Sequence, residues 1–335
     1  MMRRFIAASA LVIAGIVLAT FLILSQKDGN ILSPLGSSLK KSTPQKQLSL
    51  EKYRFDALSK IKIENGEIKL ERVISDEENY ISWLFTYESQ GKTISGMANI
   101  PKGKGPFPVI IMIRGYADKE MYFTGLGTRK AAGVFAENGF ITLAPDFLGF
   151  GQSDSESEDI LKARFARPVT VLSLLSSLND FSHFDGKNAF LWGHSNGGQI
   201  AISVLEITGE NYPTSLWAPV TQSFPESVLE YIDYDQITPE SQLVIDRFDE
   251  FLKDYNPKDY DINSYLDKIA APIQIHQGGS DNWVPEKWQE EIITKLEKLG
   301  KKVDYFYYPN SDHNLKQDWD RVVGRDVGFY KSLLN

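Results

Sequence analysis

Hydrophobic and polar positions change rhythm twice along the chain. Residues 5–24 carry no charged side chain. As a helix they would run roughly 30 Å, the thickness of a bilayer's hydrocarbon core. Residues 25–47 are mostly Ser, Pro, Gly, Lys and Gln with scattered Leu, which buries too little surface to fold alone and predicts a tether. A short charged lead-in comes next, and its 48–63 spacing permits a helix. From residue 68 apolar and polar positions alternate in 68–75, 80–87 and 93–100. Asp76-Glu77-Glu78-Asn79 and Ser89-Gln90-Gly91 separate these runs, and the pattern predicts an antiparallel meander.

After Pro106 the alternation gives way to short continuous apolar runs, at 109–113, 140–144, 189–192, 215–218, 273–277 and 304–308. Amphipathic stretches fill the gaps at 128–138, 163–178, 198–208, 286–299 and 319–333. Strands apolar on both faces and alternating with helices are the signature of parallel βαβ units. The predicted class is therefore α/β, a mostly parallel central sheet flanked by helices. One gap, between 218 and 273, is oversized. Its helical spacing at 226–232 and 241–252 predicts a helical lid over the sheet edge. The chain thus divides into an N-terminal transmembrane anchor over 1–26, a tether and lead-in over 27–65, and a catalytic domain over 66–335 with its lid insertion at about 220–268.

Composition narrows the partners. The 44 acidic against 36 basic side chains give a net charge of -8, which repels a phosphate backbone, so nucleic acid is excluded. The chain has no Cys. Disulfides, thiolate metal sites, a thiol nucleophile and a lipidated cysteine are all ruled out. Arg3 and Arg4 precede the apolar segment, and by the positive-inside rule they keep the N-terminus in the cytoplasm and place the chain beyond residue 24 outside it. A cleaved signal peptide fits less well, because the apolar stretch is too long and Ser25-Gln26-Lys27-Asp28 offers no small-x-small cleavage site. The expectation is a single-pass membrane protein with its catalytic domain on the extracytoplasmic side.

The chemistry centres on Trp192-Gly193-His194-Ser195-Asn196-Gly197-Gly198. Gly-x-Ser-x-Gly is a weak pattern alone, but here it comes after an apolar strand and precedes a helix, the setting that holds a nucleophile on a tight, strained turn. Gly193 and Gly197 fit because a Cβ would collide where strand and helix approach. A serine hydroxyl needs a base, and imidazole is best suited near neutral pH. Of the four His, His194 lies inside the turn, His183 precedes the strand, and His276 sits within a buried strand as a hydrogen-bonded core residue. That leaves His313, in the loop just after the last strand. The orienting acid should leave a strand end between Ser195 and His313, and Asp281, after Gly278-Gly279-Ser280, does so. Asp312 is too close in sequence to meet the ring of His313, and Asp233, Asp235, Asp246 and Asp249 lie in the insertion. The oxyanion of acyl transfer needs two backbone N–H donors, for which Asn196 and Tyr116 are the candidates. Arg114 has two open uses, holding an acidic substrate group or pairing with Asp146 or another carboxylate. The acidic run 153–159 lacks EF-hand spacing and 147–151 lacks phosphate-binding spacing, so both are read as loops.

Ile94-Ser95-Gly96-Met97-Ala98-Asn99-Ile100-Pro101, Arg114-Gly115-Tyr116, Asp146-Phe147-Leu148-Gly149-Phe150-Gly151, the serine turn, 278–281 and 308–313 together resemble the catalytic domain of the prolyl oligopeptidase family of serine peptidases, and the single-domain esterases that share it. The likeness covers about 68–335 and implies an α/β-hydrolase fold. It gives Ser195, Asp281 and His313 triad roles and Asn196 with Tyr116 the oxyanion hole. Full-length prolyl oligopeptidases carry a β-propeller before this domain, and in this sequence a tether and meander stand there. The resemblance implies a peptidase on small peptides. A carboxylesterase on small acyl esters uses every one of the same steps, and a non-catalytic cell-surface binding module is a third reading that an intact triad opposes. A dehalogenase would carry Asp where Ser195 stands. No metal or organic cofactor is implied.

Overall fold

The alternating runs pair as their pattern requires in the computed structural model, which describes residues 50–63 and 66–334. β1 (Lys69–Asp76), β2 (Tyr80–Ser89) and β3 (Lys92–Pro101) form the antiparallel meander. The continuous apolar runs become β4 (Phe107–Ile113), β5 (Ile141–Pro145), β6 (Phe184–His194), β7 (Thr214–Trp217), β8 (Ile273–Gly278) and β9 (Val303–Tyr308). These six are parallel, and β3 joins them antiparallel through β5. One sheet results, in the order β1-β2-β3-β5-β4-β6-β7-β8-β9. From β4 the chain moves outward to β5 and then returns across β4 to β6. The reversal opens a crevice at the carboxyl ends of β4 and β6, where α/β sheets bind their ligands.

The long helices are α1 (Arg129–Glu137), α2 (Ile160–Ser177), α3 (Asn196–Thr208), α4 (Pro239–Asp254), α5 (Glu286–Lys298) and α6 (Trp319–Ser332). Phe135 of α1 and Tyr330 of α6 pack with Phe140 and Phe190 on one face of the sheet. The other face is covered by α2, α3 and α5, whose Leu172, Leu174, Val204 and Ile292 are buried with Ile111 and Leu191. α2 begins three residues earlier than its apolar pattern suggests, because the Asp159 carboxylate caps it by accepting from the Leu161 and Lys162 amides.

One difference from the sequence reading stands out. The lead-in is not a continuous helix: a 3-10 turn (Glu51–Tyr53) and one α-turn (Phe55–Leu58) are parted by extended Arg54. So short a helix cannot offset its own nucleation, and packing holds it instead. Leu50, Tyr53, Phe55 and Leu58 are all buried, and the Leu50 amide donates to the Tyr255 hydroxyl at 3.1 Å. No helix among the described residues is long and apolar enough to cross a membrane, and the span at 5–24 lies outside the described residues.

The insertion between β7 and β8 is helical, with a short turn (Glu226–Leu229) and α4. Phe248 and Phe251 of α4 meet Phe224 and Phe165, and Arg247 pairs with the α2 cap Asp159 at 2.9 Å. The cap is thus tied to the covering helix beside the crevice. At the far edge of the sheet, β1 breaks register twice and exposes Lys69, Glu71 and Arg72.

Candidate active site

β6 runs out of the core at His194, and Ser195 turns the chain into α3 with φ 56° and ψ -123°. A serine rarely adopts such backbone, and here three main-chain hydrogen bonds fix it: its amide to the Trp217 carbonyl at 2.9 Å, and its carbonyl from Gly198 at 2.9 Å and Val220 at 3.0 Å. A Cβ on Gly197 would lie 2.0 Å from the Ile113 carbonyl oxygen, and one on Gly193 would lie 2.7 Å from that of Gly197. The turn is therefore wedged against the end of β4 as well as against its own helix.

Asp281 and His313 leave the ends of β8 and β9, and the side chains meet. Asp281 Oδ2 lies 2.8 Å from His313 Nδ1 and also accepts from Gln277 Nε2 at 3.2 Å. Its Oδ1 accepts the amides of Trp283 at 2.8 Å and Val284 at 3.0 Å. Burial pushes this carboxyl up, but the hydrogen bond and charge of His313 and the two amides outweigh it and hold Asp281 below the usual carboxylate range. Asp312 turns away and accepts the Asn314 and Lys316 amides of its own loop. His194 Nε2 donates to the His313 carbonyl at 3.0 Å, with the two rings 4.8 Å apart. Burial and then the neighbouring His313 lower His194 to about 4, so it is neutral near pH 7. The Ser195 hydroxyl makes no hydrogen bond among the described residues.

The loop after β4 closes on the same point. A Cβ on Gly115 would sit 2.9 Å from that of Ser195, so only glycine lets Arg114-Gly115-Tyr116 come this near. Asn196 is the first residue of α3, where the N–H has no carbonyl four residues back. Tyr116 is 40% exposed at the mouth.

Arg114 is not presented to the crevice. It is buried, donates to the main-chain oxygens of Gly115 and Asp146 at 2.9 Å each, and lies over the rings of Phe150 (4.1 Å) and Tyr122 (4.7 Å). Of its two open uses, the hydrogen bonds follow the pairing with Asp146. The pairing goes to the Asp146 carbonyl, because the Asp146 carboxylate is already taken by Ser95 Oγ (2.6 Å), Tyr122 Oη (2.6 Å) and Thr124 Oγ1 (2.9 Å). Arg114 and Asp146 thus stiffen the loop that carries Gly115 and Tyr116.

Sequence reasoning read His276 as a hydrogen-bonded core residue but missed the rest of its network, on the sheet face covered by α1 and α6. Asp326 of α6 is fully buried and accepts from Ser215 Oγ (2.5 Å), Trp217 Nε1 (2.7 Å) and Gln274 Nε2 (2.7 Å), with His276 Nε2 at 2.9 Å. His276 Nδ1 meets the Tyr308 hydroxyl at 2.8 Å. The bonds hold β7, β8, β9 and α6 together beneath the loops that carry Asp281 and His313. Polar residues inside the β7 and β8 runs were the available signal. Among the described residues no group of His, Asp and Glu is placed to hold a metal ion.

A serine on a strained turn between a parallel strand and a helix, with an aspartate–histidine pair on later strand ends, defines the α/β-hydrolase class. The chain belongs to the prolyl oligopeptidase family, which it matches over residues 127–334. It is 31% identical over 113 residues to an uncharacterized protein of Mycobacterium tuberculosis, a match spanning 34% of this chain and 29% of that protein's length. Its fold is similar to the acetyl xylan esterase of Paenibacillus sp. R4, with a TM-score of 0.62 at 14% identity over 87% of this chain and 98% of that one. It is also similar to a Mycobacterium tuberculosis puromycin-hydrolyzing peptidase, with a TM-score of 0.59 at 14% identity over 78% of this chain and 40% of that one.

Proposed function

We propose that the enzyme cleaves small peptides by two-step acyl transfer. Ser195 attacks the carbonyl carbon while His313 takes its proton. The amides of Asn196 and Tyr116 stabilise the oxyanion, and the tetrahedral intermediate collapses as His313 passes that proton to the leaving amine. Water, deprotonated in turn by His313, then releases the acyl group. The observation that carries this reading is the 2.8 Å bond between Asp281 and His313 Nδ1, which fixes the tautomer with Nε2 as the basic nitrogen. The unengaged Ser195 hydroxyl is consistent with it, since such bonds often close only when substrate arrives.

Membership of the prolyl oligopeptidase family supports the peptide substrate. A second reading, a carboxylesterase on small acyl esters, is supported by the end-to-end likeness to a solved acetyl xylan esterase. The N-terminal segment 5–24 is read as an uncleaved anchor holding the hydrolase outside the cytoplasm. The test is fluorophosphonate labelling of the full chain in detergent beside Ser195→Ala, then a panel of aminoacyl and prolyl anilides and p-nitrophenyl esters. Labelling is expected in the parent and lost in the variant. Turnover confined to esters would replace the peptidase reading, and an unlabelled, folded parent would leave a binding module.

A further inference from the structure

On the α2–α3 face of the sheet, beside the serine turn, a cation is buried with nothing of opposite charge against it. Arg164 of α2 is only 8% exposed and makes no ion pair among the described residues. Its Nη2 donates to Gln199 Oε1 and, at 3.4 Å, to Ser227 Oγ, both neutral acceptors, and its Nη1 has no partner. Arg167, one turn further along α2 and partly buried, faces the same space. Burial and then the charge of Arg167 lower Arg164 to about 9, so it remains a cation at neutral pH. Burying a guanidinium without a counter-charge, next to a second one, is costly unless something else supplies that charge.

The space they face is a cavity of about 30 Å³, lined also by Asn196, Gln199 and Phe224. At roughly 10–15 Å³ per water-sized position it has room for two such groups, such as the two oxygens of a carboxylate. Asn196 follows the nucleophile, so the cavity adjoins the reacting carbonyl. A leaving group must lie toward His313 to receive its proton. His194 and Asp312, which flank that base, line a separate groove on the opposite face of the sheet. The cavity is left for the acyl side.

We propose that Arg164 and Arg167 form a subsite for a carboxylate carried on the acyl portion of the substrate. The proposal rests on the hydrolase reading above and adds to it the substrate's charge. A dicarboxylic half-ester and an acidic aminoacyl group share this chemistry.

The test compares kcat/KM for p-nitrophenyl hemiglutarate with that for p-nitrophenyl butyrate, and for glutamyl with leucyl p-nitroanilide, in the parent and in Arg164→Met. The parent is expected to favour the charged member of at least one pair. Which pair responds tells a half-ester from an acidic peptide. In Arg164→Met the charged-to-neutral ratio should fall about 10- to 100-fold, the range for losing a charge-assisted hydrogen bond. Calorimetric titration of the full chain with glutarate reads the subsite without turnover, and binding should vanish in Arg164→Met. Without glutarate the variant should melt at the parent's temperature or above, since a buried unpaired charge has been removed, whereas a structural strut would melt lower. Should Arg164→Met fail to fold, Arg167→Gln carries the same comparison. An unchanged ratio, or chloride binding with no response to glutarate, overturns the subsite. Loss of fluorophosphonate labelling would instead overturn the hydrolase reading while the titration still decides the subsite.

Discussion

Four donors surround the Asp281 carboxylate, and three of them, the Trp283 and Val284 amides and Gln277 Nε2, come from its own strand end and turn. The acid is therefore held in place before His313 arrives. In Asp281→Asn an amide N–H2 replaces the acceptor opposite Nδ1, favouring the other tautomer. The fold should be unchanged and kcat should fall by about 10³- to 10⁴-fold, as steady-state kinetics would show. His194 makes a pH prediction. Its folded pKa of about 4 lies below the ordinary value of 6.5, so as pH falls the unfolded chain takes up the proton first. The stabilisation is complete above pH 6.5 and is lost between 6.5 and 4, by a few kcal/mol at most at about 1.4 kcal/mol per unit. Urea unfolding at pH 7 and pH 5 should show the loss in the parent and a smaller one in His194→Gln. At this scale Asp281 and His313 were legible because each lies in the short loop that follows an apolar run. The inward aim of Arg114 and the isolation of Arg164 were not, because a guanidinium in a loop or helix gives no sign in sequence of which way it points.

Among the elements, the nine strands were legible from periodicity alone, since burial on one face or on both writes itself into alternating or continuous apolar runs. The lead-in shows where that reasoning stops. The spacing of Leu50, Tyr53, Phe55 and Leu58 permits a helix, yet they pack as separate anchors on either side of an extended residue. Tyr53, Phe55 and Leu58 also line the cavity before Arg164. A fragment beginning at residue 60 loses four buried side chains at roughly 1.5–3 kcal/mol each. Relative to the full chain, it should melt about 10 °C lower or more by calorimetry.

Over the whole molecule, the order of strands decides where chemistry can happen. Carrying β5 and β6 to opposite sides of β4 leaves the one gap into which a serine turn, a β4 loop and two later strand ends can converge. The net charge and the lack of Cys narrowed the partners without bearing on this geometry. The outer border of the sheet has a consequence of another kind. With two register breaks and exposed Lys69, Glu71 and Arg72 beside the exposed Val73, β1 does not offer a neighbouring copy a straight row of amides and carbonyls. Another strand could not dock there without kinking and burying charge, so crowding many copies together should leave each sheet at nine strands rather than seeding edge-to-edge aggregation.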